Sequence, residues 1–255
     1  ATPANSSNSS NTSSSSSNNS KKSRRSRSRS PRVDKSSPTA LNAVEQQTQL
    51  AQQEGTMQNA IMKGNYDLFF ELLNYEEDPL EVLRERDAVG ATCLHWACLM
   101  NHQPGSLRIA HRIIQAYPER CADMYTGEEY EGENSLHIAI VNQNFELVEA
   151  LVEACPVQMD QHATGMFFSP STEKKKVSCY YGELALSFAT STNQIEIVRY
   201  LLDHGADITN QDVANGNNCM HMAVLCNNVA MFDHLTEEWE KRKNEYSSRQ
   251  FDSSF

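Results

Sequence analysis

Between residues 57 and 250 the apolar positions follow a helical period, not the alternation of a strand. Phe145, Leu147, Val148, Leu151 and Val152 fall on one helical face, as do Ile195, Ile197, Val198, Leu201 and Leu202. Each stripe follows a shorter segment with a small inward residue, Ala139 or Ala189. The sequence Leu202-Asp203-His204-Gly205 ends its helix at a glycine suited to a left-handed cap. Ile113, Ile114 and Tyr117 run into Pro118, which stops that helix. The pattern predicts an all-α chain of short and long helices in pairs. No pair could bury its stripe alone, so stability must come from stacked neighbours.

The openings of the pairs repeat. Gly132-Glu133-Asn134-Ser135-Leu136-His137-Ile138-Ala139 has the layout of residues 90–97 and 216–223. Residues 182–189 are a fourth copy with Ser187 in the His position, and Met57 to Ala60 begin a degraded fifth. The Leu-like positions 57, 94, 136, 186 and 220 stand 37, 42, 50 and 34 residues apart. A period near 33 is that of ankyrin repeats, a turn plus two antiparallel helices. About five repeats are predicted, and the excess lengths predict elongated finger loops between them. A catalytic residue is usually unique in its chain, whereas a scaffold residue returns with the architecture. Gly90, His95, Gly132, His137, Gly182, Ser187, Gly216 and His221 therefore read as structural residues of the repeat turns. The imidazoles would hydrogen-bond the neighbouring turn, and Ser187 would take over that capping role.

Two insertions stand out. Glu119 to Glu131 is acidic, and Gln158 to Cys179 is the longest, with Phe167-Phe168, Pro170 and Lys174-Lys175-Lys176. Loops of this length are usually functional or disordered. Phe167 and Phe168 are too apolar to stay solvated and are expected to pack on the next finger or on a partner. The lysine triplet reads as a solvated turn or as a contact to an acidic surface.

Composition divides the chain. Residues 1–56 are rich in Ser, Asn, Thr and Gln and are expected to be disordered, residues 57–250 form the repeat domain, and residues 251–255 begin a linker or a truncated end. Lys21 to Lys35 hold eight basic residues against one Asp, a net of +7, which leaves the rest at −18 within a total of −11. An acidic folded part argues against nucleic acid on that domain. The Arg-Ser run at 21–32 could hold RNA or an anionic membrane by charge, yet lacks an aromatic stacking partner and reads first as a solvated tail. Seven cysteines without a secretory signal suggest reduced thiols in the cytosol, and no stretch is apolar enough to span a bilayer. Cys93, His95, Cys98 and His102 lack a CxxC pair, and Cys93 and Cys219 occupy equivalent positions of two repeats, so no metal or other cofactor is expected.

The sequence "GMFFSP" followed by "YYGELALSFATSTNQ" at 180–194, together with "EEYEGENSLHIAI" at 128–140, resembles the N-terminal ankyrin domain of vanilloid-type transient receptor potential (TRPV) channels. Its departures from vertebrate members point to an invertebrate subunit of the Nanchung or Inactive kind. The resemblance implies a calcium-permeable cation channel subunit in sensory transduction, with this domain on the cytosolic face of the plasma or ciliary membrane. It also implies a fragment of a longer polypeptide. Other subunits, in a homo- or heterotetramer, would be the partners, contacted through finger residues Tyr125, Tyr130, Phe167, Phe168, Lys174, Lys175, Lys176, Tyr180 and Tyr181.

Some family members bind ATP or calmodulin. Here the finger Tyr of that site matches Tyr130 and its Gln matches Glu133, but its basic positions fall on Ala91, His95, Val141 and Asn142. A triphosphate needs cationic donors, so ATP binding is expected to be weak or absent, while calmodulin is retained as a partner. The alternative reading is a free-standing ankyrin adaptor that binds a protein on its concave face. Catalysis is not expected, because Glu131, Glu133 and Glu183 lie in or beside fingers without a nucleophile and base at suitable spacing.

Overall fold

A computed structural model describes residues 54–167 and 180–252. The N-terminal tail, Phe168 and Lys174 to Lys176 lie outside the described residues. Eleven α-helices are present among the described residues: α1 Met57–Met62, α2 Tyr66–Tyr75, α3 Pro79–Val82, α4 Cys93–Leu99, α5 Pro104–Ala116, α6 Ser135–Val141, α7 Phe145–Ala154, α8 Ala185–Ser191, α9 Ile195–Asp203, α10 Cys219–Leu225 and α11 Val229–Asp252. They contain no strand, only an isolated antiparallel bridge between Met124 and Asn134. Five inner helices (α1, α4, α6, α8, α10) pack in sequence, each paired with an outer helix (α2, α5, α7, α9, α11). The predicted array of five helix pairs is what forms.

Local chemistry sets the ends of these helices. Three inner helices begin with a capping box in which His occupies the place usually held by Glu or Gln. The pairs are Thr92 with His95, Asn134 with His137, and Asn218 with His221. Three outer helices are capped by Asn65, Asn144 and Asn228, whose side chains accept from the backbone N–H three residues on. At the equivalent sites Gln103 and Gln194 make no cap. They reach back one repeat instead, donating to the Met62 and Ile140 carbonyls, each at 2.6 Å.

The core is continuous along the stack. Leu94, Leu136, Ala97, Ala139, Ala189 and Ala223 are buried on the inner helices, and Ile113, Leu151 and Leu201 on the outer ones. Of the two apolar stripes, Phe145 lies at the edge, half-exposed, with its ring edge-on to Tyr200 at 5.4 Å. The last repeat breaks the pattern. Cys98, Ile140 and Thr190 are fully buried, whereas Val224 at the same inner position is 64% exposed. On the outer helices Val148 and Val198 are buried, and Phe232 in their place is 39% exposed.

Two corrections to the sequence reading concern single residues. Ser187 does not cap α8: the N-cap is Leu184, which has no side-chain bond, and the Ser187 hydroxyl makes no hydrogen bond. The reason is local: the N-cap position held by Thr92, Asn134 and Asn218 in the other copies is Leu184 here, which has no side-chain acceptor, so the capping box is lost. Phe167, expected on the next finger or on a partner, packs on the preceding finger: its ring lies 5.4 Å from Tyr130, and its N–H donates to the Glu129 carbonyl.

Leu136→Ala and Leu201→Ala should each lower unfolding free energy by about 2–5 kcal/mol in urea melts, as for other truncations at fully buried sites. The turn glycines should respond unequally. Gly132 (φ +80°) would place a Cβ 1.9 Å from the His162 carbonyl oxygen, whereas Gly216 (φ +71°) has nothing within 4 Å. Gly216→Ala should cost only the left-handed strain of about 1–2 kcal/mol, and Gly132→Ala several times more. Equal melting shifts for the two would contradict this packing.

Candidate interaction surface

Four finger segments, residues 76–92, 117–134, 155–184 (described up to 167 and from 180) and 204–218, connect the repeats. Hydrogen bonds join neighbouring fingers. Arg86 in the first finger donates to the Gly90 and Met124 carbonyls and faces Asp123 at 3.8 Å. The third finger lies along the second through its backbone. Thr164 and Gly165 donate to the Glu131 carbonyl, Met166 to that of Glu128, and Phe167 to that of Glu129. Each bond is between 2.8 and 3.0 Å.

A ladder of rings runs outward beside these bonds. His95 on α4 lies 4.5 Å from Tyr125, Tyr125 lies 5.7 Å from Tyr130, and Tyr130 lies 5.4 Å from Phe167. Tyr125 is buried and Tyr130 partly so. Burial pushes both phenols above their ordinary range, with the Glu133 carboxylate adding to the effect. A second ladder joins Tyr181, Phe188 and His137 through contacts of 5.4 and 4.6 Å.

The third and fourth fingers are closed by a carboxylate clasp. Buried Glu183 accepts from the Val213 and Ala214 N–H groups at 2.8 and 2.9 Å and faces His162 Nδ1 at 3.0 Å. Asp212 accepts from the Glu183 N–H and from the Tyr180 hydroxyl. Every partner of Glu183 is spent on the fold. Of the nine predicted finger residues, Tyr125, Tyr130 and Phe167 are brought together, while Tyr180 and Tyr181 belong to separate clusters. Sequence reasoning did not single out Asp212, His162 or Glu183 as clasp residues, because their partners come from loops 21 to 32 residues away.

The two buried repeat-turn histidines, His95 and His137, are neutral. His95 Nδ1 accepts from the Thr92 N–H at 3.0 Å, and Nε2 donates to the Asp123 carbonyl at 3.0 Å, so one proton satisfies both ends. His137 and His221 accept from Asn134 and Asn218 N–H in the same way. His137 Nε2 lies beside the Glu183 backbone without a well-aligned bond. Burial holds the His95 and His137 rings down to about 3. Desolvation pushes the Glu133 carboxyl up to about 8. Cys93, Cys121 and Cys219 are raised to about 12 by burial, which leaves these thiols inert at neutral pH. Among the described residues no group of three or more His, Cys, Asp and Glu is placed to hold a metal ion.

Paired helices stacked through shared faces, with capped turns and projecting fingers, define a repeat-scaffold protein. The family model described as ankyrin repeats matches in three overlapping copies, residues 57–164, 105–212 and 166–246, and the chain belongs to that family. Its relatives include transient receptor potential cation channels of subfamily V. Member 6 from Homo sapiens is 40% identical over 157 residues, covering 60% of this chain and 19% of the relative. Member 5 from Homo sapiens is 40% identical over 143 residues (56% and 18%), and member 1 from Canis lupus familiaris 38% over 144 (53% and 16%). The chain thus spans about a fifth of the length of these relatives. Among the described residues no helix is long and apolar enough to cross a membrane.

The titrations give opposite slopes. An imidazole at about 3 when folded and 6.5 in its ordinary state contributes stability above pH 6.5 that is lost as pH falls toward 3. Glu133, raised from 4.5 to about 8, contributes stability below pH 4.5 that is lost as pH rises through 8. His137→Asn should be modestly less stable at pH 7 and lose less stability on acidification. Glu133→Gln should be more stable than the parent at pH 8 and indistinguishable from it at pH 4. Urea melts across this range check both, and parallel pH profiles for parent and variants would count against them.

Proposed function

We propose that this chain is the cytosolic interaction domain of a TRPV-like cation channel subunit. Its finger face mediates contacts between subunits of a homo- or heterotetramer and thereby acts on assembly and gating. The observation that carries the reading is the pre-organised finger row: rings, backbone bonds and the Glu183 clasp fix the fingers, yet Met124, Met166 and Val213 remain exposed on three of them. Single exposed apolar residues are ordinary. Apolar residues held on rigid neighbouring loops suit a partner surface, because little ordering entropy remains to be lost on docking. Similarity to cation channels over more than half of the chain supports the same reading.

Phe168 and the Lys174 to Lys176 triplet are assigned to this contact as well, with the lysines meeting an acidic surface. Membrane placement, calcium permeation and a sensory role belong to the longer polypeptide of this reading, with no catalysis assigned to the repeat domain. An invertebrate Nanchung or Inactive-like subunit remains the assignment within it. Weak or absent ATP binding is favoured by the carried-over positions: Ala91 is buried, and His95 is neutral and committed to two backbone partners. Neither supplies a cation to a triphosphate. Calmodulin is kept as a regulatory partner of the same domain.

Met166→Asp combined with Val213→Asp should change the melting of the 255-residue chain little, since both side chains are exposed. In the full-length subunit the pair should reduce co-purification of differently tagged subunits and lower current. Intact assembly and current with a folded domain would sink the finger reading. Phe167→Ala is the contrasting variant: it should lower the melting temperature, because the ring is part of the internal ladder.

A further inference from the structure

A cavity of about 340 Å³ lies where α1 and α4 meet the first finger, within the size range of small-ligand sites. Its lining takes Gln58 and Ile61 from α1, Trp96 from α4, and Glu76, Glu85 and Asp87 from the intervening segment. Asp87 accepts from Trp96 Nε1 at 2.7 Å. Arg86 also borders the cavity, but its guanidinium is spent on the Gly90 and Met124 carbonyls and on Asp123. Glu76 and Glu85 are exposed and ion-pair with no described residue. One place therefore offers an indole and two uncommitted carboxylates. A basic peptide matches both, with cationic heads for the carboxylates and the indole.

We propose that this cavity receives side chains of the segment Lys21 to Arg32 of the same chain. The charge balance favours it: residues 21–35 carry +7 and the remainder −18. So does the entry point, because α1, which lines the cavity, starts three residues after Glu54, the first described residue. Arg32 stands 22 positions before Glu54, a span that can reach about 70 Å at roughly 3.3 Å per residue. Covalent attachment also gives the segment an effective concentration that a free basic peptide lacks. Ser26, Ser28 and Ser30 alternate with its arginines. Each phosphate would add about −1.5 to −2 charges, so modification of all three nearly cancels the positive charge and releases the segment. The docked tail is then a phosphorylation-controlled cover on the first repeat.

The test uses the 255-residue chain as an equal mixture of ¹⁵N-labelled and unlabelled protein, coupled with a carbodiimide and read by mass spectrometry. Lys21 or Lys22 should join Glu76 or Glu85 within one isotope class, and the product should vanish at about 0.5 M salt, where exposed charges are screened. In a Trp239→Phe background, changing Arg24, Arg25, Arg27 and Arg29 to Gln should raise acrylamide quenching of Trp96 roughly twofold, a gain in access expected when a basic cover leaves the indole. Triple phosphorylation should do the same. Mixed-isotope products would place the segment on a second copy and overturn the proposal. Coupling spread over acidic residues throughout the domain, or quenching indifferent to the Arg changes, would reduce the contact to diffuse attraction and overturn it as well.

Discussion

Everything in this molecule depends on the fact that a repeat cannot cover its own face. Ile140, Val148, Thr190 and Val198 are dry only because a following helix pair lies on them, and Val224 and Phe232 show the same positions without that cover. The neutral imidazoles serve the same dependence. His95 accepts from its own turn and donates to the next finger, so a single side chain fixes a helix start and the seating of its neighbour. A charged ring could not do both, since its second proton would meet the Thr92 N–H. The turn, the helix pair and the finger therefore form as one unit.

The sequence showed the elements of this plan where they recur and missed them where they do not. Glycine, Leu-His and Ala at fixed offsets announced the repeats because each unit has the same steric problem and solves it with the same residues. The Asn caps at 65, 144 and 228 follow the same logic. Ser187 was misread because the capping box also needs a polar N-cap, and Leu184 stands there in place of Thr92, Asn134 and Asn218. The Glu183 clasp was invisible for a different reason. A carboxylate in a loop looks solvated until the N–H groups of Val213 and Ala214, some 30 residues later, are brought to it.

Charge follows a division of labour. Inside the finger row, acidic side chains serve backbone donors, as Glu183 and Asp212 do, and their burial is tolerated because hydrogen bonds replace water. Glu133 has no such set of donors, and its carboxyl is raised accordingly. In the first finger, Glu76 and Glu85 stay uncommitted. The same residue type thus acts as a structural bolt in one finger and as an available contact in another. Only the supply of nearby N–H groups separates the two uses.

The way the third finger is pinned has a consequence for how this lineage can change. One end is laid against the second finger through residues 164–167, and the other is locked by Tyr180 and Glu183 to Asp212. Twelve positions, 168–179, separate these anchors in the sequence. Closing a loop between fixed ends costs little more as it lengthens, about 0.6 kcal/mol for each doubling. Insertions and deletions can therefore accumulate at this one site while the helices keep their register, and new recognition chemistry can be tried there without disturbing the scaffold.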